Sequence, residues 1–342
     1  MSTVETALGP VDAAQLGRTL SHEHLFINLM AERRGDGLLH DPRLMTEELA
    51  VFAGQGGRTI FDLTTAELTP GSTTDSDPAF TANVAGQTRD PASITAIQAV
   101  SRATGVNVVL GTGRYRDPFL HTPLIDRLGV DGIAEEMIRD IVDGFPGTTA
   151  KAGLIGEIGA DKWFISAAEE RVFRAAARAH HETGAPIYTH AARWPVGSAQ
   201  LRLLREEAVD PKRIAIGHAD TIPDEDYVLR IAAEGAYVGL DTINSANTHD
   251  VAARVAAVLR LVNAGHESQI LLAHDVCVVS HLKSHGGNGF EFVLGDFRTA
   301  LLDAGLAEDT FERIVTANPA RFITRPHKDE PPSMSASRVE TR

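Results

Sequence analysis

Imidazole and carboxylate groups recur at the ends of short apolar runs in this sequence. They are His22, His24, Glu157, His190, His218 and Asp275. Because alternate residues of an extended strand share a face, we expect His22 and His24 to project together, with Glu23 on the opposite face. Imidazole nitrogens and carboxylate oxygens are the ligands that zinc and related divalent ions take from proteins. The first chemistry that these residues indicate is therefore metal binding.

Six ligands are too many for one catalytic zinc ion, which keeps a coordination position open for water. The set instead fits two ions about 3.5–4 Å apart, with one carboxylate bridging them. We therefore expect two divalent metal ions per chain as cofactors. Zinc is the first choice, and manganese, cobalt and iron also suit these ligands.

Eight apolar runs rich in β-branched residues are the elements that would carry these groups. They are Arg18–Leu20, Thr59–Leu63, Asn107–Gly111, Gly153–Glu157, Pro186–Thr189, Arg213–Ile216, Ala236–Leu240 and Gln269–Ala273. Helical patterns lie between them, including Ala167–Glu182, Ser198–Glu207, Asp224–Glu234 and Val251–Ala264. Strands that alternate with helices pair in parallel, with the helices outside. We predict an α/β protein with a single (β/α)8 TIM barrel over residues 1–325 and an active site at the C-terminal ends of its strands.

An open, doubly wound sheet is the alternative fold, but no glycine-rich dinucleotide fingerprint follows the first strand. Two polar segments, Asp36–Arg43 and Thr69–Asp90, are predicted to be loops or lids. Residues 326–342 are rich in proline, serine and charge, and we predict a disordered tail there.

The charge balance excludes several classes of partner. The 342 residues carry a net charge of −14, which disfavours binding to nucleic acid and to anionic membranes. The single cysteine, Cys277, excludes an internal disulfide and fits a reducing cytosol. The sequence shows no signal-peptide pattern and no apolar run of membrane-spanning length. We expect a cytoplasmic protein whose partner is a small-molecule substrate.

The wider motifs resemble those of the phosphotriesterase-related family of the amidohydrolase superfamily. The matching segments are Leu20–Leu25, Gly153–Gly159, Ile216–His218, Leu272–Asp275, Gly286–Phe290 and Asn318–Pro319. Each segment is weak evidence alone, but together they are specific, and the resemblance runs from Leu8 to about Phe322. It implies the same barrel, a binuclear metal site and a homodimer.

The resemblance also divides the ligands between two ions. The buried ion would be held by His22, His24 and Asp275, and the more exposed ion by His190 and His218. A group at the end of the fourth strand bridges the ions, and in some family members that group is a carbamylated lysine. Here Lys151 stands at the start of the fourth predicted strand, whereas Glu157 stands at its end. We therefore predict that Glu157 is the bridge, as in a Glu-bridged branch of the family.

The expected reaction is hydrolysis of an ester bond by a hydroxide that bridges the two metal ions. Asp275 would accept the proton of that hydroxide and pass it to the leaving group. The leading substrate is a lactone. The alternatives are an amide, such as an N-acyl amino acid or an N-acetyltaurine-like compound, and a phosphotriester. A barrel that only binds a ligand is the non-enzyme alternative, which the complete ligand set disfavours.

Three residues are candidate substrate contacts. Tyr115 aligns with an aromatic position that lines the family's pocket. Arg193 and Trp194 follow the His190 ligand and would place a cation and a flat wall over the site. A guanidinium at this position suits a carboxylate, sulfonate or phosphate on the substrate.

Other polar residues near the strand ends have open or structural interpretations. Asp241 would either orient a loop or act as an acid in the pocket. The segment from Asp241 to Asn244 lacks the arginine that acyl-homoserine lactonases of the family carry, which counts against such substrates. His274 should point into packing, because it alternates with Asp275. The loop His281–Gly289, which contains Lys283, is a candidate lid.

Overall fold

Twelve strands appear in the computed structural model, which describes residues 2–70, 88–245 and 248–325. In chain order they are β1 (Thr3–Thr6), β2 (Gly9–Asp12), β3 (Arg18–Glu23), β4 (Ile27–Asn28), β5 (Leu38–Leu39), β6 (Gly57–Asp62), β7 (Asn107–Thr112), β8 (Ala152–Gly159), β9 (Ile187–His190), β10 (Ile214–Ile216), β11 (Tyr237–Leu240) and β12 (Ile270–Leu272). Strands β1 and β2 form an antiparallel hairpin, and β4 pairs with β5. The other eight form one parallel sheet in the order β3-β6-β7-β8-β9-β10-β11-β12.

Helices connect the strands of this sheet. They are α1 (Met30–Arg33), α2 (Pro42–Gly54), α3 (Pro91–Thr104), α4 (Thr122–Val142), α5 (Ala167–Thr183), α6 (Gly197–Glu206), α7 (Tyr227–Ala233), α8 (Thr248–Asn263), α9 (Asp296–Asp303), α10 (Glu308–Val315) and α11 (Ala317–Ile323). Each of the eight predicted strands overlaps a strand of the sheet, so the alternation that the sequence predicts is confirmed. Within the described part of the chain, no helix combines the length and the apolar character that a membrane span requires.

The sheet curls until its first and last strands meet. The Ser21 hydroxyl on β3 donates a hydrogen bond to the carbonyl oxygen of Leu272 on β12, at 3.1 Å. Just beyond β12, the Asp275 N–H donates to the carbonyl oxygen of His22, at 3.2 Å. The two edges of the sheet are therefore joined, as in the predicted (β/α)8 barrel, and the open-sheet alternative is wrong.

Local sequence signals explain where α5 begins and ends. The Ser166 hydroxyl accepts the Glu169 N–H, and the Glu169 carboxylate accepts the Ser166 N–H, which is a capping box. Gly184 ends the helix in a left-handed conformation with φ of 71°. The same Glu169 carboxylate accepts the Asp117 N–H at 3.1 Å, so this cap also fixes the loop after β7.

The lower part of the barrel interior is filled by large side chains. Phe61, Val109, Leu154 and Leu271 project inward from their strands, and Phe322 of α11 packs against them from below. All five are fully buried. The floor of the barrel is therefore closed, and its polar groups lie at the upper, C-terminal ends of the strands.

The structure describes only one of the two predicted loops in full. The prediction of a loop over Asp36–Arg43 is only partly correct, because this segment contains β5 and the first residues of α2. Leu38 and Leu39 form a strand because their backbone pairs with Ile27 and Asn28 of β4, a contact with another segment that the local sequence does not indicate. Most of Thr69–Asp90, and the tail 326–342, lie outside the described residues.

Candidate metal centre

The six predicted metal ligands come together at the C-terminal end of the barrel. His22 Nε2 lies 3.4 Å from Glu157 Oε2, and His24 Nε2 lies 3.6 Å from Glu157 Oε1. Asp275 Oδ1 lies 3.3 Å from His24 Nε2 and 3.9 Å from His22 Nε2. These four side chains, from β3, β8 and the segment after β12, form one half of the cluster.

The other half of the cluster lies on the far side of Glu157. His190 Nδ1 is 2.9 Å from Glu157 Oε2, and His218 Nε2 is 3.3 Å from the same oxygen. The two imidazoles also face each other, with 2.9 Å between His190 Nδ1 and His218 Nε2. The Glu157 carboxylate therefore lies between two groups of ligand side chains.

The donor set fits divalent metal ions. The Nε2 atoms of His22 and His24 are buried and have no hydrogen-bond partner among the described residues. Glu157 completes one triad of potential ligands with these two histidines, and a second with His190 and His218. Buried polar atoms without partners are costly, and a metal ion beside a carboxylate satisfies them.

Asp241, at the end of β11, holds two of these imidazoles in place. Its Oδ2 accepts the Nδ1–H of His22 at 2.9 Å, and its Oδ1 accepts the Nδ1–H of His218 at 2.8 Å. It also accepts the Tyr188 hydroxyl at 2.8 Å. Because a carboxylate only accepts hydrogen bonds, each of these rings directs Nδ1–H towards Asp241 and Nε2 towards Glu157. Asp241 is fully buried, so the geometry favours the orienting interpretation over a pocket acid.

His24 is oriented by a different chain of contacts. Its Nδ1 lies 3.0 Å from the Thr64 hydroxyl, which donates to the carbonyl oxygen of Phe26 and therefore accepts from the ring. The Thr64 N–H donates to Asp62, and Asp62 forms a fully buried ion pair with Arg89 at 2.8 Å. His22 and His24 are thus each held by a different set of buried groups.

Charges of opposite sign lie side by side in the cluster. Burial alone would lower the pKa of His22, but the carboxylates of Asp241 and Glu157 outweigh it and raise that pKa to about 10. Burial would raise the pKa of Asp241, yet the His218 and His22 imidazoles hold it well below its usual range. For His190 burial prevails and lowers the pKa to about 4. Metal binding to such imidazoles displaces protons from them.

Glu23 and His274 fix the backbone around Asp275. The Glu23 carboxylate accepts the N–H groups of His274 and Val276, both at 2.9 Å, which are the residues directly before and after Asp275. It also lies 2.8 Å from His274 Nδ1. The Val293 N–H donates to His274 Nε2, so the ring hydrogen is on Nδ1 and points at Glu23. Both ring nitrogens of His274 are used structurally, as predicted for a packing residue.

A cavity of about 220 Å³ opens above the cluster. Tyr115 and Arg193 line it together with His190, His218 and Asp275. The Tyr115 hydroxyl lies 3.1 Å from His190 Nδ1, and burial, reinforced by the charge of Glu157, raises its pKa well above the usual value. This phenol therefore stays protonated and is available as a hydrogen-bond donor.

Trp194 lies outside this cavity. Its ring packs on that of Trp163, with 4.6 Å between the ring centroids, and both side chains are exposed on the surface. Of the three predicted substrate contacts, the structure thus brings Tyr115 and Arg193 to the cavity but not Trp194. A role for Trp194 in binding substrate stays a prediction.

Comparison with known proteins identifies the family. A sequence model described as the phosphotriesterase family matches residues 2–76 and 80–323. The chain belongs to the phosphotriesterase family. It is 33% identical to the phosphotriesterase homology protein of Escherichia coli (strain K12), over 90% of this chain and 98% of that protein. It is 29% identical to the N-acetyltaurine hydrolase of Salmo salar, over 94% and 97% respectively.

A solved structure agrees with this assignment. The lactonase of Listeria monocytogenes superposes with a TM-score of 0.82, at 27% identity, over 95% of this chain and 100% of that one. These relatives are hydrolases, and the chain is a hydrolase of the phosphotriesterase family.

Lys151 lies at the opposite end of β8 from the cluster of candidate metal ligands. It directly precedes β8, and its Nζ donates to the carbonyl oxygen of Val142 at 2.6 Å. Glu157, near the other end of the same strand, is the group that lies among the histidines. The geometry therefore supports the predicted choice of Glu157 over a carbamylated lysine.

Sequence reasoning missed the roles of Glu23 and Arg116, and it left Asp241 open. A signal for Glu23 was present, since a charged residue on the outer face of a buried barrel strand requires a buried partner. No comparable signal marks Arg116, whose side chain is only 4% exposed although it lies in a polar loop segment.

Cys277 lines the cavity, and burial raises the pKa of its thiol well above the usual value.

Proposed function

We propose that this protein is a binuclear metal-dependent hydrolase of ester bonds, with a lactone as its substrate. One observation supports this most strongly. The Glu157 carboxylate lies within 3.6 Å of a ring nitrogen of each of four histidines, and Asp275 stands beside them at the open end of the cluster. A buried carboxylate among four imidazoles is a donor set for two divalent ions rather than one.

The ligands divide naturally around Glu157. One ion would be held by His22, His24 and Asp275, the other by His190 and His218, with Glu157 shared. Bound there, two divalent ions supply an ionised water at neutral pH and polarise the carbonyl oxygen of the substrate. Zinc suits the ligands best, as the sequence predicts.

The side chains of the cavity do the remaining work. Asp275 is 19% exposed, unlike the buried imidazoles, so its carboxylate can accept a proton from the attacking water and deliver it to the leaving group. Tyr115 donates its phenolic hydrogen towards the substrate oxygen that gains negative charge. Arg193 contacts the outer part of the substrate.

Amide hydrolysis is a second candidate for the same cavity. Its support is the N-acetyltaurine hydrolases, which match 94% of this chain. An amide and a lactone place the same carbonyl group over the ions, and they differ in the leaving group that Asp275 must protonate. A phosphotriester is less suited, because it is neutral and the cavity is lined by arginines.

A pH-stat assay separates these reactions. Metal-loaded protein is given lactones, N-acyl amino acids and phosphotriesters at a pH near 7.5, and released acid is titrated while free amine is measured in parallel. We expect acid from the lactones, because ring opening yields a carboxylate and a proton. Amine release from the N-acyl compounds without acid from the lactones would replace the lactonase proposal with the amidase. If neither acid from the lactones nor amine from the N-acyl compounds appears, both proposals are contradicted.

A further inference from the structure

Three arginines surround the mouth of the catalytic cavity, in a chain whose net charge is −14. They are Arg33, Arg116 and Arg193, and we call them the arginine rim. Arg33 ends α1, after β3, Arg116 follows β7, and Arg193 follows β9. Three separate connections after barrel strands therefore bring positive charge to the opening above the predicted metal ligands.

Arg116 neutralises the carboxylates nearest to the rim. Its guanidinium forms two hydrogen bonds to Glu32, at 3.1 and 2.9 Å, and lies 3.4 Å from Asp161. It also stacks over the Tyr115 ring, with 4.8 Å from the guanidinium carbon to the ring centroid. Its buried Nε has no hydrogen-bond partner among the described residues.

Arg33 and Arg193 are less fully paired with carboxylates than Arg116 is. Arg193 is 58% exposed, and the nearest carboxylate oxygen, on Asp161, is 3.9 Å away and already shared with Arg116. Arg33 is exposed and forms no ion pair with any residue that the structure describes. The remaining carboxylate of the lining, Asp275, faces the histidines.

The charges of Arg33 and Arg193 both reach the carboxylate of Glu32. Burial would raise its pKa, but Arg116 lowers it, and the charges of Arg193 and Arg33 lower it further. A second anion placed beside Glu32 at the mouth would meet the same two positive charges. Such a cationic, partly enclosed opening concentrates anionic ligands and orients them.

We infer that the substrate carries an anionic substituent, such as a carboxylate or sulfonate, which Arg33 and Arg193 bind while the scissile carbonyl lies at the metal ligands. The inference rests on the proposed function for the position of the carbonyl. The guanidinium groups pair with the planar or tetrahedral oxyanion, and neutral analogues of the same shape lose these contacts.

Turnover of a matched substrate pair tests the inference. The pair is a lactone with a carboxylate substituent and the same lactone with a carboxamide there. For the metal-loaded protein we expect kcat/KM about tenfold higher for the carboxylate at low salt, with the ratio falling towards one as ionic strength rises. Arg33→Gln and Arg193→Gln should each lower kcat/KM for the carboxylate substrate much more than for the carboxamide substrate.

A matched control is Arg205→Gln on α6. Arg205 is also exposed and pairs with Glu234, at 2.8 Å, on the outer surface of the barrel. It should leave the substrate ratio unchanged. An equal fall for both substrates in the rim variants, or a ratio that responds equally to Arg205→Gln, would overturn the inference.

A binding measurement separates this inference from the proposed reaction. Calorimetry compares glutarate with its monoamide, which have the same length but differ by one charge, in the metal-loaded wild type and in Arg33→Gln and Arg193→Gln. About tenfold tighter binding of glutarate, lost in the two variants, supports the arginine rim even if no lactone is hydrolysed. Equal binding of the two ligands overturns it, even if lactones are hydrolysed well.

Discussion

The two ends of the catalytic cavity are built in opposite ways. At the inner end the predicted ligand side chains stand on the C-terminal ends of barrel strands or within three residues after them, are nearly all buried, and are held by further buried groups such as Asp241 and Thr64. At the outer end, Arg33 ends helix α1 and Arg193 lies in a loop, both are exposed, and neither has a counterion closer than 3.9 Å among the described residues. The inner end is fixed before substrate arrives, whereas the outer end keeps its charge available to the substrate. On the proposals above, the type of reaction and the choice of substrate therefore depend on different parts of the fold.

The largest expected effect is at the centre of the inner end. Glu157→Ala removes the carboxylate that all four histidines approach, so we expect most of the bound metal and all measurable turnover to be lost. Metal content per chain, measured by atomic emission after dialysis, checks this. Lys151→Met, at the residue directly before the same strand, is the matched control and should keep both metal and turnover. Unchanged metal in Glu157→Ala, or metal loss in Lys151→Met, would contradict the assignment of the bridge.

Asp275→Asn tests the one ligand that is partly open to the cavity. The amide cannot accept a proton, so we expect kcat to fall by roughly 10²–10⁴-fold while KM changes much less. Steady-state kinetics on a variant whose metal content has first been confirmed provides the measurement. A kcat close to that of the wild type would show that another group accepts the proton.

Two buried glutamates provide a finer comparison within the segment after β12. Glu23 accepts the N–H groups on either side of Asp275, and Glu48 of α2 accepts those of Lys283 and Ser284, further along the same segment. Glu23→Gln and Glu48→Gln each replace a carboxylate oxygen, which accepts a backbone N–H, with an amide NH2 group, which cannot accept it. Both variants should therefore lower Tm by similar amounts. Only Glu23→Gln should lower kcat, by about tenfold, because it alone displaces Asp275.

The outcome is read from kcat and Tm together. A similar fall in kcat for Glu23→Gln and Glu48→Gln would mean that the whole segment, rather than the placement of Asp275, controls the reaction. A fall in Tm with no change of kcat in either variant would show that Glu23 serves stability alone.

The inner end was largely predictable from the sequence, because its signals are local. Strand alternation places His22 and His24 on one face, and the position of Glu157 within its apolar run distinguishes it from Lys151. The supporting contacts were not predictable, since they join distant segments. Asp241 and His22 are 219 residues apart in sequence, and Glu23 and His274 are 251 apart.

The outer end was less predictable, because loops rather than strand periodicity determine where its side chains go. Arg193 was expected at the cavity and lines it, whereas the adjacent Trp194 packs on Trp163 instead. Arg193 has a left-handed backbone conformation, with φ of 68°, which turns the chain between these two neighbours. That turn cannot be inferred from the dipeptide alone.

The hydrogen bonds that join β3 to β12 have a consequence for how the protein matures. Ser21 and Leu272, which close the barrel, are 251 residues apart, and the ligands beside them come from the same two ends of the fold. Bringing such distant segments together is among the slowest steps in folding. The ligand set does not exist in a nascent or truncated chain that lacks β12. For the proposed metal site, uptake at full affinity is therefore a late event that follows completion of the barrel, and a ribosome-bound fragment ending before β12 should not acquire metal.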